Sequence, residues 1–423
     1  MERRKITYRL YPSKTQANAL GDLLRSHQWL YNGCLEQRID AWRRRRISLG
    51  YQDQCKELTA LRRECPEFAA ANCSSQQRTL RRLDIAFAAF FRRVKERGER
   101  AGFPRFKSFD AFGGIGFKSH GDGWRFTPGV DWKHGKLRLQ GIGIVRARGQ
   151  ARTKEGTVKA CELMHRDGVW HLSLTVECEP VRDGGVKACG LDWGVEHFAS
   201  LVFDDGTSSH IDNPRRVRKA ARALKIAQRA LARKRRGGKN RQRARKIVGN
   251  LHQKLANQRK EFLHQTSAAL IAEFALIATE KLAIKNMTGS AKGTAAEPGK
   301  NVKAKAGLNR EILDTAPGGF LAMLRYKAPE AGSELMEAPT RKLKPSQTCP
   351  GCGRVEKKKL SQRTHVCPCG HVEQRDAASG RVVLNWALAQ LFTGQELTRQ
   401  PEISPDSSPT AGETPSHASV WVE

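Results

Sequence analysis

The feature that most constrains this fold is residues 188–206, an apolar stretch with a single acid inside its first half. The stretch alternates through Asp192, breaks at Gly194, resumes from Phe198 to Phe203 and reaches the turn sequence Asp204-Asp205-Gly206, which predicts two antiparallel strands of a hairpin. A carboxylate within such a strand is costly to bury unless it binds a positive partner. A strand-end aspartate that faces water is the alternative, so the interpretation of Asp192 depends on the other acids of the chain.

Two more acids occupy comparable places. A helix over Thr266 to Ile277 is expected to lead into an apolar strand that ends at Glu280, and Asp376 precedes an amphipathic helix, Val382 to Leu391. An acid within a strand, one at a strand end and one at a helix start form the pattern of an RNase H-like fold, in which three carboxylates meet at the sheet. We therefore predict that Asp192, Glu280 and Asp376 are catalytic and hold two Mg²⁺ ions, because two hard cations with oxygen ligands can clamp both ends of a phosphodiester displacement.

The cysteine pattern predicts a separate metal site. Four of the eleven cysteines form two close pairs: Cys349 with Cys352, and Cys367 with Cys369. Two such pairs predict a structural zinc ribbon, whose metal should be needed for the ribbon to fold. The second pair is one residue shorter than the usual Cys-x-x-Cys, so His371 or His365 remains an alternative zinc ligand. The other cysteines lie in apolar or helical surroundings, which favours reduced thiols.

The charge of the chain points to a polyanionic partner. Lys and Arg number 76 against 42 Asp and Glu, a formal net charge of +34, and nucleic acid is the default partner for such an excess. Residues 214–260 contain no acid at all, and we predict nucleic-acid contacts from the basic run inside this segment: Arg233, Lys234, Arg235 and Arg236. The sequence contains neither a membrane-length apolar run nor a signal-like N-terminus, so we expect a soluble cytoplasmic protein of a prokaryote with no membrane partner.

The order of segments suggests how the chain is organised. Residues 3–11 alternate as a strand, helical periodicity follows to about residue 99, and short strand-like segments separated by glycines extend to Cys178. This order favours a small β-barrel that the N-terminal strand completes, with helices inserted into its first connection. Beyond the Asp192 hairpin, helical spacing on both sides of Gly237-Gly238 predicts a helical hairpin.

Several short motifs follow one another along the chain. They are Tyr8-Arg9-Leu10-Tyr11-Pro12, Phe90-Phe91, Gly102-Phe103-Pro104-Arg105-Phe106, Gly190-Leu191-Asp192-Trp193-Gly194-Val195, Thr279-Glu280-Lys281-Leu282, Leu324-Arg325-Tyr326-Lys327-Ala328, Ser346-Gln347-Thr348-Cys349 and Arg375-Asp376-Ala377-Ala378. In order and spacing this series resembles the TnpB family, transposon-encoded RNA-guided DNA endonucleases related to type V CRISPR effectors. The resemblance extends from about residue 3 to residue 390.

The resemblance implies an α+β multidomain fold. Its expected parts are a β-barrel wedge domain (1–11 and 103–185), an inserted helical recognition lobe (12–102), an RNase H-like (RuvC) α/β nuclease domain (186–345 and 372–392), an inserted zinc ribbon (346–371) and a disordered tail (393–423). It also implies a monomer on one guide RNA from the transposon end, with double-stranded DNA as target. Gln77 falls where family members read a short motif beside the target, although an ordinary solvated helix glutamine is the alternative.

Two departures from the family pattern leave rival functions open. Pro317-Gly318-Gly319 stands where an aromatic is usual, and Ala378 stands where an asparagine usually follows the third acid. Neither departure removes an acid, which favours a nuclease over a cleavage-silent, RNA-guided DNA-binding protein. A miniature type V CRISPR effector is the rival within the nuclease class. Direct transposase action is disfavoured because no Tyr or Ser recombinase arrangement stands out.

Overall fold

The computed structural model describes residues 2–97, 102–149, 156–179, 182–294, 297–359 and 362–398. The chain divides into two compact units, one formed by Met1–Val181 with Arg222–Lys254 and the other by Arg182–Ala221 with Leu255–Glu423. All eleven cysteines are free thiols. No helix in the described ranges combines the length and the apolar character that crossing a bilayer requires.

The first unit contains a sheet and a set of helices. Its strands are β1 (Glu2–Tyr11), β2 (Gly114–Phe117), β3 (Trp124–Pro128), β4 (His134–Leu139), β5 (Gly143–Gly149), β6 (Thr157–Arg166) and β7 (Val169–Cys178). The helices between β1 and β2 are α1 (Lys14–Arg45), α2 (Tyr51–Glu64), α3 (Pro66–Ala69), α4 (Cys73–Arg97) and α5 (Phe109–Phe112). The predicted insertion of helices after the first strand is therefore confirmed.

Local sequence explains how this unit begins. Alternate residues of β1, namely Ile6, Tyr8 and Leu10, are buried in the core, and the Tyr8 hydroxyl donates to the carbonyl of Trp132 at 2.7 Å. Helix α1 starts after Ser13, whose hydroxyl accepts from the Gln16 backbone N–H at 3.2 Å while the Gln16 side chain accepts from the Ser13 N–H at 3.0 Å. This reciprocal capping box satisfies two backbone donors that a helix start would otherwise leave unpaired.

The strands of the first unit pair in the order β2-β6-β7-β1-β5-β4-β3, and every neighbouring pair is antiparallel. Among the described strands, β2 and β3 end this order and do not pair with each other, but the rings of Phe117 in β2 and Trp124 in β3 lie with centroids 6.4 Å apart, so the sheet curls as the expected β-barrel requires without closing by strand pairing. At β2, Arg82 of α4 donates to the carbonyl of Gly114 at 3.1 Å. A helix therefore lies against β2, and no other strand pairs with its free edge.

The second unit is built on a five-stranded sheet. Its strands are β8 (Lys187–Trp193), β9 (His197–Phe203), β10 (Ser208–Asp212), β11 (Phe274–Glu280) and β12 (Glu334–Ala338), in the order β10-β9-β8-β11-β12. The predicted hairpin is confirmed as β8 and β9, which pair antiparallel, whereas β11 runs parallel to both β8 and β12. Residues of β9 and β11 are buried on both faces, which explains why these segments are almost continuously apolar.

The remaining elements complete the chain. They are α6 (Arg216–Ala232), α7 (Lys239–Glu273), α8 (Ile284–Met287), α9 (Val302–Thr315), α10 (Pro317–Glu330), α11 (Thr340–Leu343), β13 (Thr364–Val366), β14 (Val372–Gln374) and α12 (Arg375–Thr398). Helices α6 and α7 form the predicted helical hairpin around Gly237-Gly238. The helix expected to reach Ile277 ends at Glu273, because Phe274 to Ile277 pair with the neighbouring strands of the sheet. Helix α12 continues to Thr398, beyond the expected start of the tail at residue 393, and residues 399–423 lie outside the described residues.

Candidate active site

The three predicted acids lie on elements that meet within the second unit. Asp192 is in β8, Glu280 is the last residue of β11, and Asp376 is in the first turn of α12. Strands β8 and β11 are parallel neighbours in which Leu191 pairs with Thr279, so Asp192 and Glu280 follow at the same level of the sheet. The Thr279 hydroxyl donates to the Leu191 carbonyl at 3.0 Å and supports this register. The carboxyl ends of two adjacent strands therefore present one acid each at the same edge.

The pKa of Asp192 depends on the nearby carboxylates of the other two acids. Burial raises the pKa of Asp192 well above its ordinary value, and the carboxylates of Glu280 and Asp376 raise it further. Burial also raises the pKa of Glu280. All three residues remain partly exposed, so the group is open to solvent on one side. Carboxyl groups grouped in this way are suited to bind a cation, because a positive charge removes their mutual repulsion.

Ser379 is a fourth member of this group. Its hydroxyl lies 3.3 Å from Asp192 Oδ1 and 3.5 Å from Glu280 Oε1, and the residue is only 2% exposed. Ser379 follows Asp376 by three residues in α12, which places both on one face of the helix. Our sequence analysis did not predict this role, although the spacing from Asp376 was a signal that could have indicated it.

Two glycines allow α12 to reach the acids. A Cβ atom added to Gly190 of β8 would lie 2.0 Å from the carbonyl oxygen of Gly380 in α12, and one added to Gly380 would lie 3.2 Å from the oxygen of Gly190. The two backbones are therefore in direct contact. This approach brings Asp376 and Ser379 within reach of Asp192, which lies two residues after Gly190 on the same strand face.

The four predicted zinc ligands also come together. The sulfur atoms of Cys349, Cys352, Cys367 and Cys369 all lie within 4.8 Å of one another, with Cys349 to Cys369 at 3.7 Å and Cys352 to Cys367 at 3.6 Å. Tetrahedral zinc with Zn–S bonds of about 2.3 Å requires sulfur atoms about 3.8 Å apart. The arrangement of these four thiols is therefore consistent with a zinc site.

The protonation state of Cys349 suits metal binding. Burial opposes its ionisation, but hydrogen bonds from the Cys352 backbone N–H and from His365 outweigh burial and lower the pKa of Cys349 to about 5. The thiolate is the form that binds metals. His371 lies 3.2 Å from Glu373, and Nδ1 of His365 contacts Lys358. In the part of the chain that the structure describes, the sulfur cluster comprises the four cysteines alone.

Three family models match the chain. OrfB_IS605, described as "Probable transposase", matches residues 171–291, which contain Asp192 and Glu280. "Cas12f1-like, TNB domain" matches residues 318–382, which contain the four cysteines and Asp376. The model HTH_OrfB_IS605, described as "Helix-turn-helix domain", matches residues 1–46.

Relatives of this chain are similar over most of its length. The "Putative RNA-guided DNA endonuclease InsQ" of Escherichia coli K12 is 33% identical over 326 residues, which is 75% of each chain. This identity and coverage decide the family. The chain belongs to the TnpB family.

Two further comparisons concern another relative and a solved structure. A "Putative RNA-guided DNA endonuclease" of Streptomyces pristinaespiralis is 29% identical over 429 aligned positions, covering 99% of this chain and 98% of the relative. A cryo-EM structure of a CRISPR-Cas12f ternary complex is 14% identical with a TM-score of 0.35, covering 87% of this chain and 81% of that chain. Overlap this low does not establish a shared fold.

At its N-terminal segment, the structure of this TnpB-family chain differs from the helix-turn-helix description of the matching family model. Residues 1–46 match a helix-turn-helix model, yet their described part contains strand β1 and the single 32-residue helix α1. The strand is central to the sheet of the first unit, with β7 on one side and β5 on the other. This segment of the TnpB-family chain is therefore part of the sheet core.

The predicted nucleic-acid contacts lie on two different elements of the TnpB-family chain. Arg233, Lys234, Arg235 and Arg236 are all exposed in the turn between α6 and α7. Arg241 fixes this turn, because it donates to the carbonyl of Leu231 at 3.0 Å and to that of Lys234 at 2.9 Å. Gln77 is partly buried in α4, on a helix as predicted.

Proposed function

We propose that this chain is an RNA-guided DNA endonuclease of the TnpB type. It binds a guide RNA from a transposon end, as a monomer on one RNA, and cuts double-stranded DNA beside a short motif. The names of its relatives and the net charge of +34 support this function. Guide pairing supplies sequence recognition in such proteins, so the protein itself needs mainly backbone contacts and the reading of one short motif.

The observation that carries the proposal is the convergence of Asp192, Glu280 and Asp376. The raised carboxyl pKa values of Asp192 and Glu280 fit a divalent cation, because burying like charges together is unfavourable without a positive ion. Their oxygen donors fit Mg²⁺ in particular. When bound, two such ions activate the attacking water and stabilise the leaving oxygen of the phosphodiester.

The protein side chains have distinct parts in this proposal. Asp192, whose pKa both other acids raise, would hold the ions together with Glu280 and Asp376. The Ser379 hydroxyl orients the oxygens of Asp192 and Glu280 through its contacts of 3.3 and 3.5 Å.

The domain roles form part of the same proposal. Residues 1–11 and 103–185 would act as the wedge domain, and residues 12–102 would act as the recognition lobe. Residues 186–345 and 372–392 would form the RuvC-like nuclease, and residues 346–371 the zinc ribbon. Zinc on the four cysteines would be structural, since all its ligands come from protein thiols and no position remains for a substrate.

The test is cleavage of a plasmid that carries a guide-matched target beside a randomised flank. The protein is co-expressed with the RNA from its own locus and assayed with and without Mg²⁺. We expect Mg²⁺-dependent double-strand breaks confined to one flank sequence. Cleavage should be lost in Asp192→Ala and Glu280→Ala and kept in Ser333→Ala, which changes a buried serine outside the acid group.

The same experiment distinguishes the rival functions. Guide-dependent plasmid binding without breaks would overturn the nuclease and support a cleavage-silent targeting protein. Breaks that persist in Asp192→Ala would overturn the assignment of the three acids. Breaks that do not depend on the guide would overturn RNA guidance.

A further inference from the structure

A second group of metal-ligating side chains lies on the edge of the second unit's sheet. His197 begins β9, and His210 and Asp212 lie on the edge strand β10. One ligand atom from each residue lies within 4.8 Å of those of the other two. His197 Nδ1 and His210 Nε2 are both 3.6 Å from Asp212 Oδ1. The three side chains thus converge on one point.

A β-bulge creates this convergence. His210 pairs with Ser200 and Ile211 with Ala199, but Asp212 pairs with His197, so Phe198 is the extra residue of β9. The bulge turns Phe198 into the core, where its ring packs 4.9 Å from Phe262. Without the bulge Asp212 would lie opposite Phe198, because regular strands alternate faces. The irregularity places His197 beside the two ligands of β10.

The geometry matches a metal ion more closely than a set of hydrogen bonds. Distances of 3.6 Å are too long for N–H···O hydrogen bonds. Four-coordinate zinc with bonds of about 2.1 Å to nitrogen and oxygen separates its ligand atoms by about 3.4 Å. Among the residues that the structure describes, His197 Nδ1 is buried without a hydrogen-bond partner. A cation between His197 Nδ1 and the Asp212 carboxylate would give this unpartnered nitrogen a partner.

The solvent exposure of these side chains and the types of donor atom indicate which metal ions the site can bind. The side chains of His210 and Asp212 are 56% and 88% exposed, so an ion can reach the point where they converge. The imidazole rings of His197 and His210 lie with centroids 4.1 Å apart, so both rings face the same point. Two imidazoles and one carboxylate favour Zn²⁺, Co²⁺ or Ni²⁺, whereas Mg²⁺ prefers oxygen ligands alone.

We propose that His197, His210 and Asp212 form a binding site for a divalent transition metal, Zn²⁺ in the first instance. The site is distinct from the acid group and from the four cysteines in both residues and donor types. Bound metal joins the exposed edge strand β10 to β9, which pairs directly with the Asp192 strand. Water completes the coordination, since the protein supplies three ligands.

The test is the zinc content of the full-length protein. All variants carry Asp192→Asn, so that the acid group cannot hold an additional zinc ion. After equilibration with excess Zn²⁺ and removal of free metal, we expect two zinc ions per chain by mass spectrometry, one on the cysteines and one on the proposed site. His210→Ala and Asp212→Asn should each retain one. Ser209→Ala, a change at an exposed neighbouring residue of β10, should retain two.

Titration with Co²⁺ supplies a second readout that does not depend on cleavage. Asp212→Asn should weaken the additional site at least about tenfold, the loss seen even for residues that only support metal ligands. Circular dichroism verifies that each variant is folded. Equal zinc content and equal Co²⁺ affinity in all folded proteins would overturn the proposal. Neither readout involves DNA, so failure here is independent of the nuclease proposal.

Discussion

Asp192 lies where its charge is unfavourable. Burial is the largest cause of its raised pKa, and the neighbouring acids add to it. The folded protein therefore retains a proton at pH values where the unfolded chain has released it. By linkage, the stability of the metal-free protein falls as the pH rises from the ordinary carboxyl value, about 4, towards the raised value. A cation reverses this penalty because it stabilises the ionised form.

This reasoning predicts that Asp192→Asn stabilises the protein when Mg²⁺ is absent. The amide keeps the shape of the side chain and removes the repulsion, a gain on the order of 1 kcal/mol or about 2–4 °C in unfolding temperature. Scanning calorimetry without Mg²⁺ measures the effect. The gain should be larger at neutral pH than near pH 4, where the wild-type carboxyl is already protonated.

Asp205, in the turn between β9 and β10, supplies a matched control. Hydrogen bonds from the Thr207 hydroxyl and backbone N–H lower the pKa of Asp205, so its ionised form stabilises the fold. Asp205→Asn should therefore lower the unfolding temperature at neutral pH. If both variants shift the unfolding temperature in the same direction, the electrostatic account of Asp192 is wrong.

Ser379→Ala should impair the acid group without removing an acid. The hydroxyl favours the ionised forms of Asp192 and Glu280, so its loss raises the pKa of both carboxyl groups. We expect a loss of about 10–100-fold in cleavage rate or Mg²⁺ affinity, as for other residues that orient metal ligands. The cleavage rate, measured over a series of pH values, should also reach its plateau at higher pH than in the wild type.

Ser333→Ala is the control for this prediction, since it removes another buried hydroxyl of the same unit. Its pH profile and Mg²⁺ dependence should match the wild type. Unchanged cleavage by Ser379→Ala at every pH and Mg²⁺ concentration would show that the hydroxyl has no positioning role.

At the scale of elements, the contact between β8 and α12 decides whether the acids can meet. Ala at position 190 would place its Cβ 2.0 Å from Gly380 O and 2.9 Å from Leu384 Cβ, so the helix would have to move away from the strand. We predict that Gly190→Ala destabilises the protein by about 1–3 kcal/mol, the usual cost of overpacking. It should also reduce cleavage, because Asp376 and Ser379 move with the helix.

Gly307→Ala tests whether the destabilisation expected for Gly190→Ala comes from the contact between β8 and α12 and not from replacing a glycine in general. Gly307 lies inside α9, and an added Cβ there meets nothing within 4 Å. Alanine should therefore stabilise this helix by up to about 1 kcal/mol. Urea unfolding of both variants measures the two effects, and equal effects of the two substitutions would refute the close-contact explanation.

The elements also show where sequence patterns were sufficient. The alternation in residues 188–203 predicted the β8–β9 hairpin, and the double glycine at 237–238 predicted the break between α6 and α7. The helix expected over Thr266 to Ile277 was wrong at its end, because four apolar residues fit a buried strand as well as a helix. Pairing with β8 and β12 decided that Phe274 starts a strand.

At the scale of the whole molecule, the charge of +34 sets how binding depends on salt. Each cation that contacts a phosphate releases a counterion, so the affinity for the guide RNA should fall steeply as salt rises. We predict that replacing Arg233, Lys234, Arg235 and Arg236 by alanine lowers the slope of log affinity against log salt by up to about 3. Filter binding over a series of NaCl concentrations measures this slope.

Removal of an ion pair provides the control for the binding measurements at different NaCl concentrations. Arg325 donates to Glu337 at 2.7 and 2.9 Å, so the double variant Arg325→Ala, Glu337→Ala removes no net charge. Its slope should equal that of the wild type. An unchanged slope in the fourfold variant would mean that this basic turn does not contact the RNA backbone.

The sequence by itself determined the basic character of the chain, the cysteine pairs and three acids at recognisable places, because residue type and local spacing carry this information. Only the tertiary structure decided which side chains meet. Ser379 reaches Asp192 and Glu280 because two glycines let α12 contact β8, and His197 reaches Asp212 because of a bulge. Register, bulges and backbone contacts join residues that are far apart in the chain, so local patterns do not specify them.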